Sequence, residues 1–334
     1  MINILFRTSG GRIPKKQLGL GHIYRCLNLG YQLKSHKIQF LIEDYGSVSS
    51  LLREHGFKKI FHLKPGIDES LDIQKTKNLV LKNKIDLLIV DKYGLSCKYV
   101  RELKKVTKVV VISDLKNIQY DADLIANGFI GYDNKITYNK FGTRCLLGPR
   151  YQILNPQYST KGKFDKKYDL LITLGGFDAN NLMEIILEKI VKYGKNLKTK
   201  IILGPATIKS DKIRKFEKNY KDQLEIVAKT ENMKKEISSS KFGICAGGIT
   251  TYEFSAMQVP FAIICQYEHQ IVTAREWQKK KIAKNLGFIQ GNEKKLDILL
   301  RQLVQNKIQL KSRKIVDGLG SKRVAEQIIK IATS

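Results

Sequence analysis

Two glycines and a histidine open the segment Gly19-Leu20-Gly21-His22-Ile23-Tyr24-Arg25, at the start of an amphipathic stretch. Glycine lets backbone approach a ligand closely, and a helix N-terminus attracts phosphate. His22 stands in that first turn, where the helix dipole favours the neutral imidazole. A neutral histidine so placed is a candidate general base. A dinucleotide fingerprint would need a third glycine where Tyr24 stands, and a strand directly before it; here residues 7–18 intervene. Glu43 and Asp44 could mimic a ribose-binding acid, but the glycine pattern argues against a nicotinamide cofactor.

Four further segments carry chemistry. Asp91 ends the run Leu87–Val90 and either orients His22, holds a sugar hydroxyl or caps the next helix. Asp114 and Asn127 end the next two runs, and Asn127 can take an amide or a hydroxyl. Leu174-Gly175-Gly176-Phe177-Asp178-Ala179-Asn180-Asn181 suits either a phosphate approach or a plain tight turn capped by Asp178. Cys245-Ala246-Gly247-Gly248-Ile249-Thr250-Thr251-Tyr252-Glu253 reads as strand, glycine turn and helix start. There the N–H groups of Gly248, Ile249 and Thr250 can hold a diphosphate, and Glu253, one turn on, can accept two ribose hydroxyls. Glu268-His269-Gln270 follows another strand, with Gln270 a candidate for ribose or sugar hydroxyls.

These loops need strands to position them. Apolar, β-branched runs at Ile2–Phe6, Ile38–Ile42, Leu87–Asp91, Val109–Ile112 and Leu124–Asn127 alternate with amphipathic stretches such as Ile23–Leu33 and Asp72–Leu81. That alternation predicts βαβ units and a parallel sheet. Turn residues around Gly148-Pro149 and Asn155-Pro156 lead into the polar run Ser159–Lys167. The alternation then restarts at Tyr168–Leu174, Lys200–Leu203, Leu224–Val227, Phe242–Ala246 and Phe261–Cys265. The expected architecture is α/β: two doubly wound, Rossmann-like domains facing a cleft, spanning 1–155 and 168–334, with 156–167 as linker. A last helix near Ser321–Ala332 crosses back to the first domain. Ligands bind beyond the carboxyl ends of such strands.

Composition narrows the class. The 334 residues suit two cores, and 43% hydrophobic with 27% charged residues is globular. No apolar run is long enough for a membrane span, so no stable membrane insertion is expected. Met1–Phe6 lacks the basic start of a secretory leader and reads as a strand. Five scattered cysteines without a C-x-x-C pair predict buried thiols and a cytoplasmic location. The net charge of +29 favours anionic partners, but the lysines are spread along the chain without a basic tail or aromatic–basic repeat, so nucleic acid is not expected. No metal or nucleophile-elbow motif is present, and neither a metal nor a cofactor is expected. A monomer is expected.

Taken together, Phe6-Arg7, GLGHIYRCL (19–27), Asp91-Lys92-Tyr93, LGPRYQIL (147–154), GGFDAN (175–180) and AGGITTYE (246–253) resemble a known family. It is that of the UDP-sugar hydrolases of pseudaminic acid synthesis, relatives of the peptidoglycan N-acetylglucosaminyltransferase that share its GT-B fold. The resemblance runs nearly full length. It implies hydrolysis of UDP-2,4-diacetamido-2,4,6-trideoxy-β-L-altropyranose to UDP and the free sugar, with inversion at the anomeric carbon. It also implies that His22 activates the water, Glu253 grips the ribose and Gly248–Thr250 hold the diphosphate. Substrate contacts are accordingly expected from Gly21, Arg25, Asp91, Tyr93, Asn127, Gly175, Gly176, Asp178, Gly247, Gly248, Ile249, Thr250, Glu253 and Gln270. The chain departs from the family at Ser9, Phe177 and His269-Gln270, and in the long basic loop Thr8–Leu18 with Arg12, Lys15 and Lys16. A glycosyltransferase on the same scaffold, or a non-enzymatic nucleotide or nucleic-acid binder, are the competing readings.

Overall fold

The computed structural model describes the chain except residues 14, 15, 47, 161, 163, 179, 205, 206, 208, 311–313 and 334; the side chains of 12, 13 and 16–18 are likewise not described. Lys15 and the side chains of Arg12 and Lys16, named above in the basic loop, therefore lie outside the described residues.

The first compact unit comprises Met1–Pro156 and Gly318–Ser334. Its strands are β1 (Asn3–Ile13), β2 (Lys16–Gly19), β3 (Lys37–Tyr45), β4 (Ile60–Leu63), β5 (Leu87–Asp91), β6 (Lys108–Ile112), β7 (Leu124–Asn127), β8 (Lys135–Tyr138) and β9 (Arg144–Leu147). Its helices in this stretch are α1 (Gly21–Gln32), α2 (Val48–Glu54), α3 (Glu69–Lys82) and α4 (Cys97–Lys104). The sheet order is β4-β3-β1-β5-β6-β7-β9-β8, parallel except for the β8–β9 pair, and β2 pairs antiparallel with the end of β1. β5 and β6 are apolar along almost their whole length because helices cover both sheet faces. Asp68 caps α3 through Ser70 N and Leu71 N, and Ser96 caps α4 through Tyr99 N.

The expected loop Thr8–Leu18 is a correction. β1 continues to Ile13 and β2 returns along it, with a register shift between Gly11 and Arg12. Glycine makes this possible: Gly11 has φ +101°, and a Cβ there would meet Gly46 O at 2.7 Å.

The second unit, Gln157–Asp317, holds β10 (Tyr168–Thr173), β11 (Thr199–Ile202), β12 (Leu224–Val227), β13 (Ser240–Ala246), β14 (Phe261–Ile264) and β15 (Ala283–Gly287). Its helices are α5 (Leu182–Tyr193), α6 (Asp211–Asn219), α7 (Met233–Ser238), α8 (Thr250–Ala256), α9 (Glu268–Lys279) and α10 (Lys294–Val304). The strands form one parallel sheet in the order β12-β11-β10-β13-β14-β15. The last helix, α11 (Gly320–Thr333), packs with the first unit, burying Val324, Ala325 and Ile328 among Ile4, Phe6, Leu27 and Val110.

Both sheets are doubly wound. Chain direction across the sheet reverses between β1 and β5 in the first and between β10 and β13 in the second. The carboxyl ends of those four strands are the switch points where such sheets bind ligands.

Candidate active site

At the first switch point, Thr8 of β1 lies beside Asp91 at the end of β5. Asp91 is fully buried and receives three donors. His22 Nδ1 is 2.6 Å from its Oδ1, Arg25 Nη2 donates to the same oxygen at 2.6 Å, and Arg25 Nε donates to Oδ2 at 2.9 Å. An ionised carboxylate only accepts, so the short Nδ1 contact requires the proton on Nδ1. In the neutral ring that leaves Nε2 as the acceptor. The imidazole side chain is 18% exposed, so it is held yet reachable. Asp91 therefore orients His22 rather than capping the next helix, which Ser96 caps instead.

Arg25, expected as a substrate contact, is buried and engaged at both ends of its guanidinium. Besides Asp91 it donates Nη1 and Nη2 to Asp114, whose side chain is 57% exposed. Burial opposes its charge, but Asp114 and Asp91 together hold its pKa well above the usual value.

A second buried group lies on the other face of β1. Arg7, with no exposed surface, donates Nε and Nη2 to Asp72 of α3 at 3.1 and 2.6 Å, and Nη2 to Glu43 at 3.3 Å. Thr76, Tyr99 and Lys92 also donate to Asp72, at 3.0, 2.9 and 3.0 Å. Burial works against the Asp72 carboxylate, yet Arg7 and Lys92 hold its pKa below the ordinary range. This group fixes Lys92, immediately after Asp91, and so the strand end. Sequence reasoning missed it. Arg7, Glu43 and Lys92 each stood in a noted segment, but nothing local linked them to Asp72 and Thr76, four apart on the buried side of an amphipathic helix.

Asn127 and Tyr93 fall outside this constellation. Asn127 is fully buried; its amide donates to Leu115 O at 2.9 Å and accepts from Phe129 N at 3.0 Å. That braces a loop instead of presenting an amide to a ligand. Tyr93 is 70% exposed, and its N–H reaches Ser9 Oγ at 3.4 Å. Gly21 is exposed at the first position of α1.

At the second switch point two glycine turns follow β10 and β13. Gly175 has φ +85°, and neither it nor Gly176 has atoms near a would-be Cβ. Of the two alternatives for Asp178, the structure shows the capping one: its carboxylate accepts from Leu182 N and Met183 N, both at 2.8 Å, at the start of α5. Gln270 is a correction. It is buried, and its side-chain oxygen accepts from Gln266 N at 2.9 Å and Gly247 N at 3.4 Å. Gly247 is required by that packing, since a Cβ would meet Gln270 Cβ at 2.8 Å. Gly248 instead faces open space.

The first bond closing the α8 turn runs from Thr251 N to Gly248 O, so the N–H groups of Gly248, Ile249 and Thr250 precede it. Thr251 Oγ1 donates to Gly248 O at 2.8 Å and accepts from buried Trp277 Nε1 at 3.0 Å, which locks the turn. Glu253, in the first turn, is partly buried. Among the described residues no group offers its carboxyl a well-aligned hydrogen bond. The buried Tyr158 hydroxyl lies near enough to act on it but is not aligned with any acceptor. Desolvation pushes the Glu253 pKa up to about 7, and Tyr158 offsets only part of that. Thr251 falls within the glycine motif, but Trp277 and Tyr158 are contributions no local motif marked.

Among the described residues no cluster of His, Cys, Asp and Glu could hold a metal ion, and no helix is long and apolar enough to cross a membrane.

The fold and the comparisons with known proteins define the class. The architecture is GT-B, two Rossmann-like α/β domains, and residues 170–328 match the glycosyltransferase family 28 C-terminal domain. The crystal structure of Acinetobacter baumannii MurG superposes with a TM-score of 0.67 at 15% identity, covering 99% of this chain and 100% of that one. In sequence, the chain is 28% identical over 281 residues to the spore coat polysaccharide biosynthesis protein SpsG of Bacillus subtilis, covering 81% of this chain and 80% of that one. It is 27% identical over 290 residues to the UDP-2,4-diacetamido-2,4,6-trideoxy-beta-L-altropyranose hydrolase of Campylobacter jejuni, covering 84% and 97%. The match to the Methanocaldococcus jannaschii protein MJ1062, 25% identical over 282 residues, takes in 79% of this chain and 56% of that relative's length.

Proposed function

We propose that this protein is an enzyme acting on a UDP-sugar, and that it hydrolyses UDP-2,4-diacetamido-2,4,6-trideoxy-β-L-altropyranose to UDP and the free sugar. The observation that carries the reading is the 2.6 Å bond from His22 Nδ1 to buried Asp91, which leaves Nε2 as a proton acceptor at a switch point. In the reaction, a water oxygen bonds to the anomeric carbon as its proton passes to His22 Nε2. The C1–O bond breaks, its electron pair leaves with the diphosphate, and the configuration at C1 inverts. UDP is a good leaving group, so the protein must mainly place one water and stabilise growing charge.

Nucleotide recognition is assigned to the second unit. The free N–H groups of Gly248, Ile249 and Thr250 take the diphosphate, with the open turn at Gly175 and Gly176 nearby in the same switch point. Glu253 takes the ribose: a desolvated carboxyl without aligned donors suits two ligand hydroxyls. Similarity to the C. jejuni hydrolase over most of both chains supports the substrate class. A second reading, transfer of the sugar to an acceptor, is favoured by the match to a glycosyltransferase domain over residues 170–328.

The test is incubation with that UDP-sugar without acceptor, following the anomeric signals by NMR. Wild type should release free sugar of inverted configuration. His22→Ala should lose roughly 10²–10⁴-fold in turnover, the usual contribution of a general base, while UDP affinity changes little. UDP binding without turnover would overturn the hydrolase reading for this sugar and direct the search to acceptors.

A further inference from the structure

The geometry points to Arg25 and Asp114 as a charge-setting pair that acts through Asp91 to keep the His22 imidazole neutral: positioning residues, not substrate contacts. The kinetic consequence rests on the proposed base role of His22; the charge coupling does not.

The argument starts from Asp91. A fully buried carboxylate bonded only to an imidazole is stabilised by a second proton on the ring, giving an ion pair and a ring that can no longer accept. Here the countercharge comes from elsewhere. Arg25 binds Asp91 through Nε and Nη2 at 2.9 and 2.6 Å, and Nη2 stands 2.8 Å from His22 Nδ1. Guanidinium has no accessible neutral form, so Asp91 is compensated permanently without drawing a proton onto His22. Arg25 in turn is bridged by Asp114, which tempers its charge. The line runs neutral His22, Asp91⁻, Arg25⁺, Asp114⁻.

The spacing explains the pattern. His22 and Arg25 are three residues apart on one helix and so project to one side of it, while Asp91 and Asp114 follow the neighbouring strands β5 and β6. Other ionisable groups on the surrounding elements are Tyr24, Tyr31 and Cys26 of α1, the Cys26 thiol pushed up by burial; Arg7 of β1, turned to Asp72 and Glu43; Lys92, bonded to Asp72; and Lys108 of β6, bonded to Ile331 O. α11, packed on α1, carries Lys322, Arg323, Glu326 and Lys330.

The experiment is an NMR titration of His22 in the full chain, in wild type, R25M, R25K and D114N. Removing the Arg25 charge in R25M should move proton uptake by His22 to higher pH by about one unit or more. R25K, which keeps the charge, should return most of that displacement. D114N, at a carboxylate whose side chain is 57% exposed, should move uptake the other way by a few tenths of a unit, roughly the effect of one partly screened charge. Displacements of opposite sign are what a merely structural role would not produce. If R25M does not fold, the D114N and R25K titrations still decide. An unmoved titration in D114N, or movement in the same direction as R25M, overturns the inference. The rising limb of kcat/KM against pH should follow the titration. If the titration moves and the limb does not, the charge coupling stands and the base role of His22 falls.

Discussion

At the residue scale, two carboxylates with different environments are assigned different tasks. Asp91 is fully buried but saturated with donors, and it holds a ring in place. Glu253 is desolvated, and the Tyr158 hydroxyl offsets only part of that, so its pKa rises to about 7. Ribose hydroxyls donate best to an ionised carboxylate. UDP should therefore bind more tightly as pH rises through about 7, and binding near pH 6.5 should release a proton. Calorimetry in buffers of different ionisation enthalpy measures that release directly, and Glu253→Gln should abolish it. Stability has the opposite sign. A carboxyl whose folded pKa exceeds its unfolded value stabilises the fold fully below about 4.5, and that contribution is lost as pH rises through 7. A Glu253 that releases no proton on UDP binding would remove it from the ribose site.

At the element scale, the loops at the strand ends are held by side chains that sequence reading had offered to a ligand. Asn127 ends β7, Asp178 lies in the loop after β10 and Gln270 in the first turn of α9 after β14, and all three accept hydrogen bonds from backbone amides. Buried backbone N–H groups in loops and at helix starts must find acceptors, and here side-chain oxygens of Asp, Asn and Gln supply them. Asp178→Ala should therefore cost about 1–2 kcal/mol, the usual value of a helix cap. It should read as a lower melting temperature, with UDP affinity reduced only as far as the α5 start loosens. A large loss of affinity at unchanged stability would return Asp178 to the ligand.

At the scale of the whole molecule, α11 lies more than 160 residues from the body of its unit, counted as the separation of Ser321 from Leu154, yet its Ser321 Oγ donates to Leu154 O at 2.9 Å. Ile328 and Val324 are fully buried against α1 and the first sheet. Truncation there removes apolar burial and leaves a cavity. Ile328→Ala should cost about 2–5 kcal/mol, measured by chemical denaturation, and should lower the stability of residues 1–156 without changing the second unit. A loss confined to the second unit would contradict this placement of the helix.

Much of the fold was legible because the strands are short apolar runs separated by helical patterns, and period and turn residues are local properties. β5 and β7 fall on the expected residues Leu87–Asp91 and Leu124–Asn127, and β12 on Leu224–Val227. Polar strands were not legible: β8 is largely exposed and β15 reads Ala-Lys-Asn-Leu-Gly. Their apolar signal is too weak, and only neighbours in the sheet make them strands. The site divides in the same way. Three placements follow from local pattern alone: His22 opens a helix after glycines, Asp91 ends a strand and Glu253 sits one turn into another helix. The fold is what brings Asp91 to His22, holds Arg25 between Asp91 and Asp114, and puts Tyr158 beside Glu253. Those partners are 66 to 95 residues apart, and which side chains meet across such distances is set by strand order and register, which no local pattern encodes.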